Sequence, residues 1–222
     1  EEECRQQWPG LMNLLDRKVK PERTRRKNNG DFVLRNPLPQ RWWQHERNRP
    51  ALYSEIKKCK QVLVVAQTSK YKAFTLLDVR HVFDQKLIVF PFSSYLQFAL
   101  LQSTCHLNWA EFMGSSMKDD PVYTPTLCFE PFPFPITFFE ASSEEDVCNS
   151  SLKRLAEIGE RYYLFRADLL VNNNEGLTTT YNRFHDPRES NQDILEFRRL
   201  HAEMDQTVLD AYGWVDINNV YG

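Results

Sequence analysis

Glu55-Ile56-Lys57 has the Glu-x-Lys spacing with which a metal-dependent nuclease places a carboxylate and an ammonium around an attacking water. The triplet falls in a segment that Pro50 opens as a short helix through Leu52, Tyr53 and Ile56, with no upstream Asp on a strand, so it reads as surface charge. Asn36-Pro37-Leu38-Pro39 has the outline of the Asn/Asp-Pro-Pro-Tyr loop used in amino-group methylation, but it lacks the aromatic that stacks on a flipped base. His45, His81, His106, His185 and His201 are too dispersed to form a metal site, and Cys4, Cys59, Cys105, Cys128 and Cys148 contain no Cys-x-x-Cys pair. No Gly-x-Ser-x-Gly elbow occurs, and none of the seven glycines clusters in a turn after a strand. The chain is therefore expected to hold no catalytic residue, no cofactor and no metal of its own.

Its pronounced chemistry is noncovalent. From Arg17 to Lys60 there are 14 Lys/Arg against 4 Asp/Glu, whereas the whole chain is −2 and residues 141–222 alone hold 8 Lys/Arg against 15 Asp/Glu. One face can attract a polyanion while another repels it. Arg23, Arg25, Arg26, Lys27, Arg41, Arg47 and Arg49 are the expected grip on a phosphate backbone. Trp42 and Trp43 among them are expected to pack the base of that surface rather than stack on bases.

A second candidate lies between two short strands, Gln61 to Ala66 and Tyr71 to Leu77. The polar stretch Gln67 to Lys70 makes them a hairpin, and Gln67, Ser69, Lys70 and Lys72 suit adenine and guanine edges if that hairpin enters a major groove. Ser115, Ser116 and Lys118 follow Gly114 and offer hydroxyls and a cation to phosphate, with Asp119 and Asp120 holding the turn. Thr178, Thr179, Tyr181 and Arg183 are weaker candidates in acidic surroundings.

The elements that position these residues indicate an α+β protein. Trp8, Leu11, Leu15 and Val19 recur at helical spacing, and Leu87 to Phe90 is a third strand. A long helix runs from Ser93 or Ser94 to Gly114. Prolines 121, 125, 131, 133 and 135 exclude a regular helix and end in an extended arm, placing a boundary between a domain of residues 1–136 and a helical domain of 137–222. In the second domain, Ser142 or Ser143 caps a helix carrying Leu152, Leu155, Tyr162, Phe165 and Leu169. A loop from Asn172 through Gly176 to about Pro187 follows, and a last helix with Ile194, Phe197, His201, Met204, Val208 and Tyr212 on one side stops at Gly213. The two long helices are expected to pair antiparallel. With 41% hydrophobic residues the chain can bury a real core, and it has neither a membrane-length apolar run nor a signal peptide. The unpaired, scattered cysteines suit a reduced, cytoplasmic setting, and the start at Glu-Glu-Glu-Cys without Met suits a piece of a longer polypeptide.

Five segments in order carry a resemblance: RWWQHERNRPALYSEI (41–56), VLVVAQTSKYKAF (62–74), FMGSSMKDD (112–120), YTPTLCFEPFPFP (123–135) and GERYYLFRADLLVNNNEGLTTTYNRFHDP (159–187). Together they resemble the C-terminal part of MmeI-like, type IIL restriction-modification enzymes. In that family one polypeptide carries a nuclease domain, a helical connector, an adenine-N6 methyltransferase domain, a target recognition domain and a C-terminal helical domain, and this chain is similar to the last two. The resemblance implies a sequence-specific module for double-stranded DNA, partnered with an upstream methyltransferase domain. It implies S-adenosylmethionine, and magnesium for cleavage, as cofactors of the parent enzyme, with no catalytic position to carry over here. The alternative from another class is a protein-interaction or interdomain docking module that does not bind DNA by itself.

Overall fold

The structure is a computed structural model that describes residues 1–46, 49–117, 120–135 and 150–214. The chain divides into two compact units, residues 1–54 and 55–222.

The first unit begins with three short helices, α1 (Glu2–Gln7), α2 (Pro9–Lys18) and α3 (Lys20–Arg23). Pro9 opens α2, where a missing N–H costs nothing, so the helical stretch is interrupted at Trp8. The restart turns Met12, Leu15 and Val19 inward and leaves Trp8 and Leu11 exposed, which corrects the single stripe expected from the spacing. Arg5 clamps α1 to α2 by donating to both carboxylate oxygens of Asp16, at 2.6 and 3.1 Å. Downstream, Arg26 and Phe32 form an isolated antiparallel bridge closed by a turn through Gly30, whose φ of +88° lies in the left-handed region. Trp42 is buried, with Trp43 edge-on at 5.8 Å. The short helix α4 (Pro50–Ile56) forms where Pro50 places it.

The second unit is built around a three-stranded antiparallel sheet in the order β2 (Thr75–Asp78), β1 (Gln61–Ala66), β3 (Leu87–Phe90). In the central strand Val62, Leu63, Val64 and Val65 are all buried, so both faces of the sheet are covered. The expected long helix is two helices, α5 (Tyr95–Gln102) and α6 (Thr104–Met113). Ser103 adopts an extended conformation between them, and its hydroxyl caps the second helix by accepting from the His106 N–H. Ser94 caps α5 in a reciprocal box with Gln97.

Gly114 ends α6 under close packing, since a Cβ there would stand 2.5 Å from the Ala110 carbonyl oxygen. A hairpin follows, β4 (Ser115–Met117) against β5 (Asp120–Val122), then a π-helical turn over Pro125–Phe129. The proline-rich arm folds back, and Phe132 meets the His106 ring edge-on at 4.5 Å.

The helices α7 (Ser150–Asn173) and α9 (Gln192–Tyr212) are antiparallel, as the pairing of Arg161 with Glu203 and of Arg154 with Asp210 shows. Gly213 stops α9 in the left-handed conformation. Residues 177–185, expected as loop, form helix α8 (Leu177–His185). Buried Thr180, Tyr181 and Phe184 supply tertiary packing that outweighs the poor helix propensity of consecutive threonines. The proposed cap at Ser142 or Ser143 lies outside the described residues. One continuous core joins the sheet to these helices, from Leu63 and Phe74 through Phe98 to Leu155, Tyr162, Phe197 and Val208. The chain packs tightly at Gly159, where a Cβ would lie 2.4 Å from the Tyr95 carbonyl oxygen and 2.9 Å from the Ala99 Cβ. The α+β class is as the sequence indicated.

Candidate nucleic-acid interface

The polar residues after β1 sit on an eight-residue loop, 67–74, whose conformation is fixed from several sides. Gln67 donates its N–H to the Lys86 carbonyl at 2.7 Å and accepts from the Tyr123 N–H at 2.7 Å, while Thr68 bridges Val122. Lys72 turns inward. Its half-buried ammonium donates to the carbonyls of Gln67 (3.3 Å), Ser69 (3.2 Å) and Pro121, and burial pushes its pKa down. That ammonium ties the loop to itself and to β5.

Lys70 points the other way, exposed, with its Nζ 2.7 Å from Asn182 Oδ1 on α8 and 4.9 Å from the center of the Tyr71 ring. Tyr71 also donates to Asn182 Oδ1, at 2.9 Å, and stacks on His185 (5.0 Å) and Tyr181 (5.6 Å). A small cavity of about 150 Å³ beside it is lined by Ser69, Tyr71, Leu177 and Thr178 among others.

The root of the loop rests on a residue the sequence reading missed. Arg166 of α7 is 2% exposed and donates to the Phe74 carbonyl (2.6 Å), the Tyr181 hydroxyl (3.1 Å) and Gln102 Oε1 (3.2 Å). The rings of Phe98, Tyr162 and Tyr163 surround its guanidinium at 5.3 to 5.9 Å. Gln102 in turn accepts from the Phe74 N–H at 2.9 Å. The signal was present in the sequence, because Arg166 stands four residues after Tyr162 and three before Leu169, on the apolar stripe itself.

Of the serines after Gly114, Ser115 and Ser116 are exposed on β4, paired with Val122 and Pro121. Lys118 and Arg47 lie outside the described residues. In the first unit, Arg25, Arg26 and Lys27 stand exposed around the turn closed by Gly30. Arg26 lies 4.2 Å over the Phe32 ring and donates to the Gly30 carbonyl. Arg41 is exposed, and so is Arg49, at φ +44°. Arg23 differs. It is half-buried, and its guanidinium donates to the carbonyls of Trp42 (3.2 Å) and Gln44, holding down the segment that carries the tryptophans.

Glu55 pairs with Lys58 at 2.7 Å on the surface. Thr104, His201 and Asp205 lie together, with Thr104 Oγ1 3.2 Å from His201 Nε2. However, Asp205 approaches that same nitrogen, at 3.5 Å, whereas a nucleophile relay needs the carboxylate on the other one. His201 Nδ1 faces the Tyr162 hydroxyl at 3.1 Å, and Asp205 accepts from the Thr104 N–H at 2.8 Å as a cap on α6. Among the described residues no group of three or more His, Cys, Asp or Glu is placed to hold a metal ion, and no helix is long and apolar enough to cross a membrane.

Residues 31–136 match the MmeI target recognition domain family. Over those residues the chain is similar to the target recognition domain of MmeI. The match takes in Arg41, the whole loop 67–74, the β4–β5 hairpin and the arm to Pro135, while Arg23 to Lys27 precede it. A solved structure of the type IIL restriction-modification enzyme MmeI in complex with DNA aligns with a TM-score of 0.55 and 21% identity, over 72% of this chain and 19% of that one. At that identity the likeness is one of fold, and it reaches beyond the matched domain. No curated protein matches the chain.

Proposed function

We propose that this chain reads duplex DNA for a type IIL enzyme, a site-specific adenine-N6 DNA methyltransferase fused to an endonuclease. The observation that carries the reading is the match to the MmeI target recognition domain over 31–136, in which loop 67–74 is pinned at its root by Arg166 and Gln102 and exposes Lys70. A stiff root with a polar tip is what reading base edges requires, since a misplaced donor loses its pairing.

In this reading Gln67, Ser69 and Lys70 face base edges, and Lys72 shapes the loop that presents them. Ser115, Ser116 and Lys118 meet the backbone. Arg25, Arg26, Lys27, Arg41, Arg47 and Arg49 grip phosphates, with Arg23 bracing that surface from within. In this reading the recognition role falls to residues 1–136 and the helical role to 137–222. The chemistry belongs to an upstream methyltransferase domain using S-adenosylmethionine, and cleavage to a magnesium-dependent nuclease domain, in the cytoplasm.

Selection of bound duplexes from a randomized pool at low salt, followed by salt titration of the winner, tests this. One enriched motif with steeply salt-dependent affinity is expected. Absence of binding at low salt would refute the reading in favor of a docking module. The observation on that side is the exposure of Trp8, Leu11 and Leu14 on the surface of the first unit.

A further inference from the structure

Lys70 is an exposed, flexible side chain on an irregular loop, yet one atom of another element fixes its head group. Asn182 Oδ1 accepts from both the Lys70 ammonium (2.7 Å) and the Tyr71 hydroxyl (2.9 Å). The double acceptance sets the amide's orientation, because its NH2 could serve neither donor. Tyr71 is held in turn by stacking on His185, at 5.0 Å with the rings 13° apart, and on Tyr181. Asn182, Tyr181 and His185 all belong to α8, and Tyr181 is anchored in the core by Arg166 and by the Tyr162 hydroxyl. A lysine used as a free point charge has many positions open to it. One held at its Nζ keeps two N–H donors directed outward from a fixed point.

We propose that Asn182 is a specificity-determining residue that acts through Lys70: it sets where the ammonium stands and so which acceptor on a base edge it meets. The inference rests on the reading of loop 67–74 as the base-reading element. It makes α8 a positioning element of that loop. Asn182 itself is a positioning residue, since its carbonyl oxygen is occupied by the two donors of the loop.

The test compares the full chain with Lys70→Ala, Asn182→Ala, Asn182→Asp and the Lys70→Ala/Asn182→Ala double variant. Each is scored by base preference at every position of the selected duplex and by thermal unfolding. Lys70→Ala and Asn182→Ala should each relax discrimination about tenfold at the same single position, within what one base contact supplies. The double variant should do no more than either alone. Asn182→Asp keeps an acceptor oxygen in place and should keep the preference, and Tm should stay put throughout. If Lys70→Ala relaxes the preference and Asn182→Ala does not, the role of Asn182 is overturned while the reading of the loop stands. If Lys70→Ala leaves the preference intact, or no duplex is bound, the reading falls and this inference with it. A uniform loss of affinity and of Tm with Asn182→Ala would mark the residue as structural only and overturn the inference.

Discussion

The arginines of the basic stretch separate into two kinds, and salt dependence distinguishes them. Arg25, Arg26, Lys27, Arg41 and Arg49 are exposed, whereas Arg23 directs its guanidinium onto the carbonyls of Trp42 and Gln44. Each phosphate neutralized on B-form DNA adds about 0.9 to the slope of log affinity against log salt. These five cations, each meeting one phosphate, contribute about −4.5 to the slope, a share that alone makes affinity fall about 500-fold between 50 and 200 mM salt. Arg25→Ala with Arg26→Ala removes two contacts, lowers the slope by about 1.8 and cuts that fall to about 40-fold. Arg23→Ala leaves the slope alone and instead costs about 1–2 kcal/mol of stability through the lost charge-assisted hydrogen bonds. Fluorescence anisotropy with the selected duplex at five salt concentrations, beside urea denaturation, measures both. A slope unchanged in the Arg25/Arg26 variant, or lowered by about 1 in Arg23→Ala, would refute the assignment.

Three further outcomes are expected from the second unit, with Gly10 of the first unit as a control. Burial holds the His106 imidazole neutral, with its pKa down to about 3, while the unfolded chain takes up that proton below about 6.5; stability is therefore full above pH 6.5 and is lost as pH falls from there toward 3. At pH 5 the loss is about 2 kcal/mol, and His106→Gln, which cannot titrate, should remove that share of the difference between urea unfolding at pH 7 and pH 5. Gly159→Ala forces a Cβ onto the Tyr95 carbonyl and should cost about 2 kcal/mol of overpacking in thermal unfolding, whereas Gly10→Ala, with nothing within 4 Å, should be neutral or stabilizing by up to about 1 kcal/mol. Arg166→Lys keeps the charge but cannot reach three acceptors in a fixed fork, so it should cost about 2–3 kcal/mol by calorimetry; an unchanged Tm would show that the Phe74, Gln102 and Tyr181 contacts carry no stability.

Much of the fold was legible where one local pattern dominated. The apolar runs of β1 and β3, Pro50 at the start of α4, and Gly213 after the last apolar residue of α9 each left a single reading. The failures share a cause, which is competition settled by tertiary contact. Residues 95–113 are apolar enough to continue as one helix, and the break comes where the Ser103 hydroxyl and the Asp205 carboxylate cap a second helix. Thr178 to Thr180 look like loop until Tyr181 and Phe184 are buried.

In the candidate site, Gln67, Ser69, Lys70 and Lys72 were recognizable as a polar cluster, but their directions were not. On a regular strand Lys70 and Lys72 would share a face. On the irregular loop they diverge, one to Asn182 and one to three carbonyls. Asn182 itself, 112 residues away from Lys70 along the chain, left no local signal.

The buried guanidinium of Arg166 bears on any exchange of the proposed reading loop between related chains. A recombination joint at the end of the proline-rich arm would bring in a new reading loop and retain the resident arginine. The incoming loop's Phe74 carbonyl and the incoming Gln102 would then depend on a donor that had been matched to different partners. Grafts cut there should inherit the recognition residues yet lose the footing that aims them. Joints near residue 55, which carry sheet and helices together, transfer the loop with its own foundation, and the smallest exchangeable unit of specificity is correspondingly larger than the matched domain.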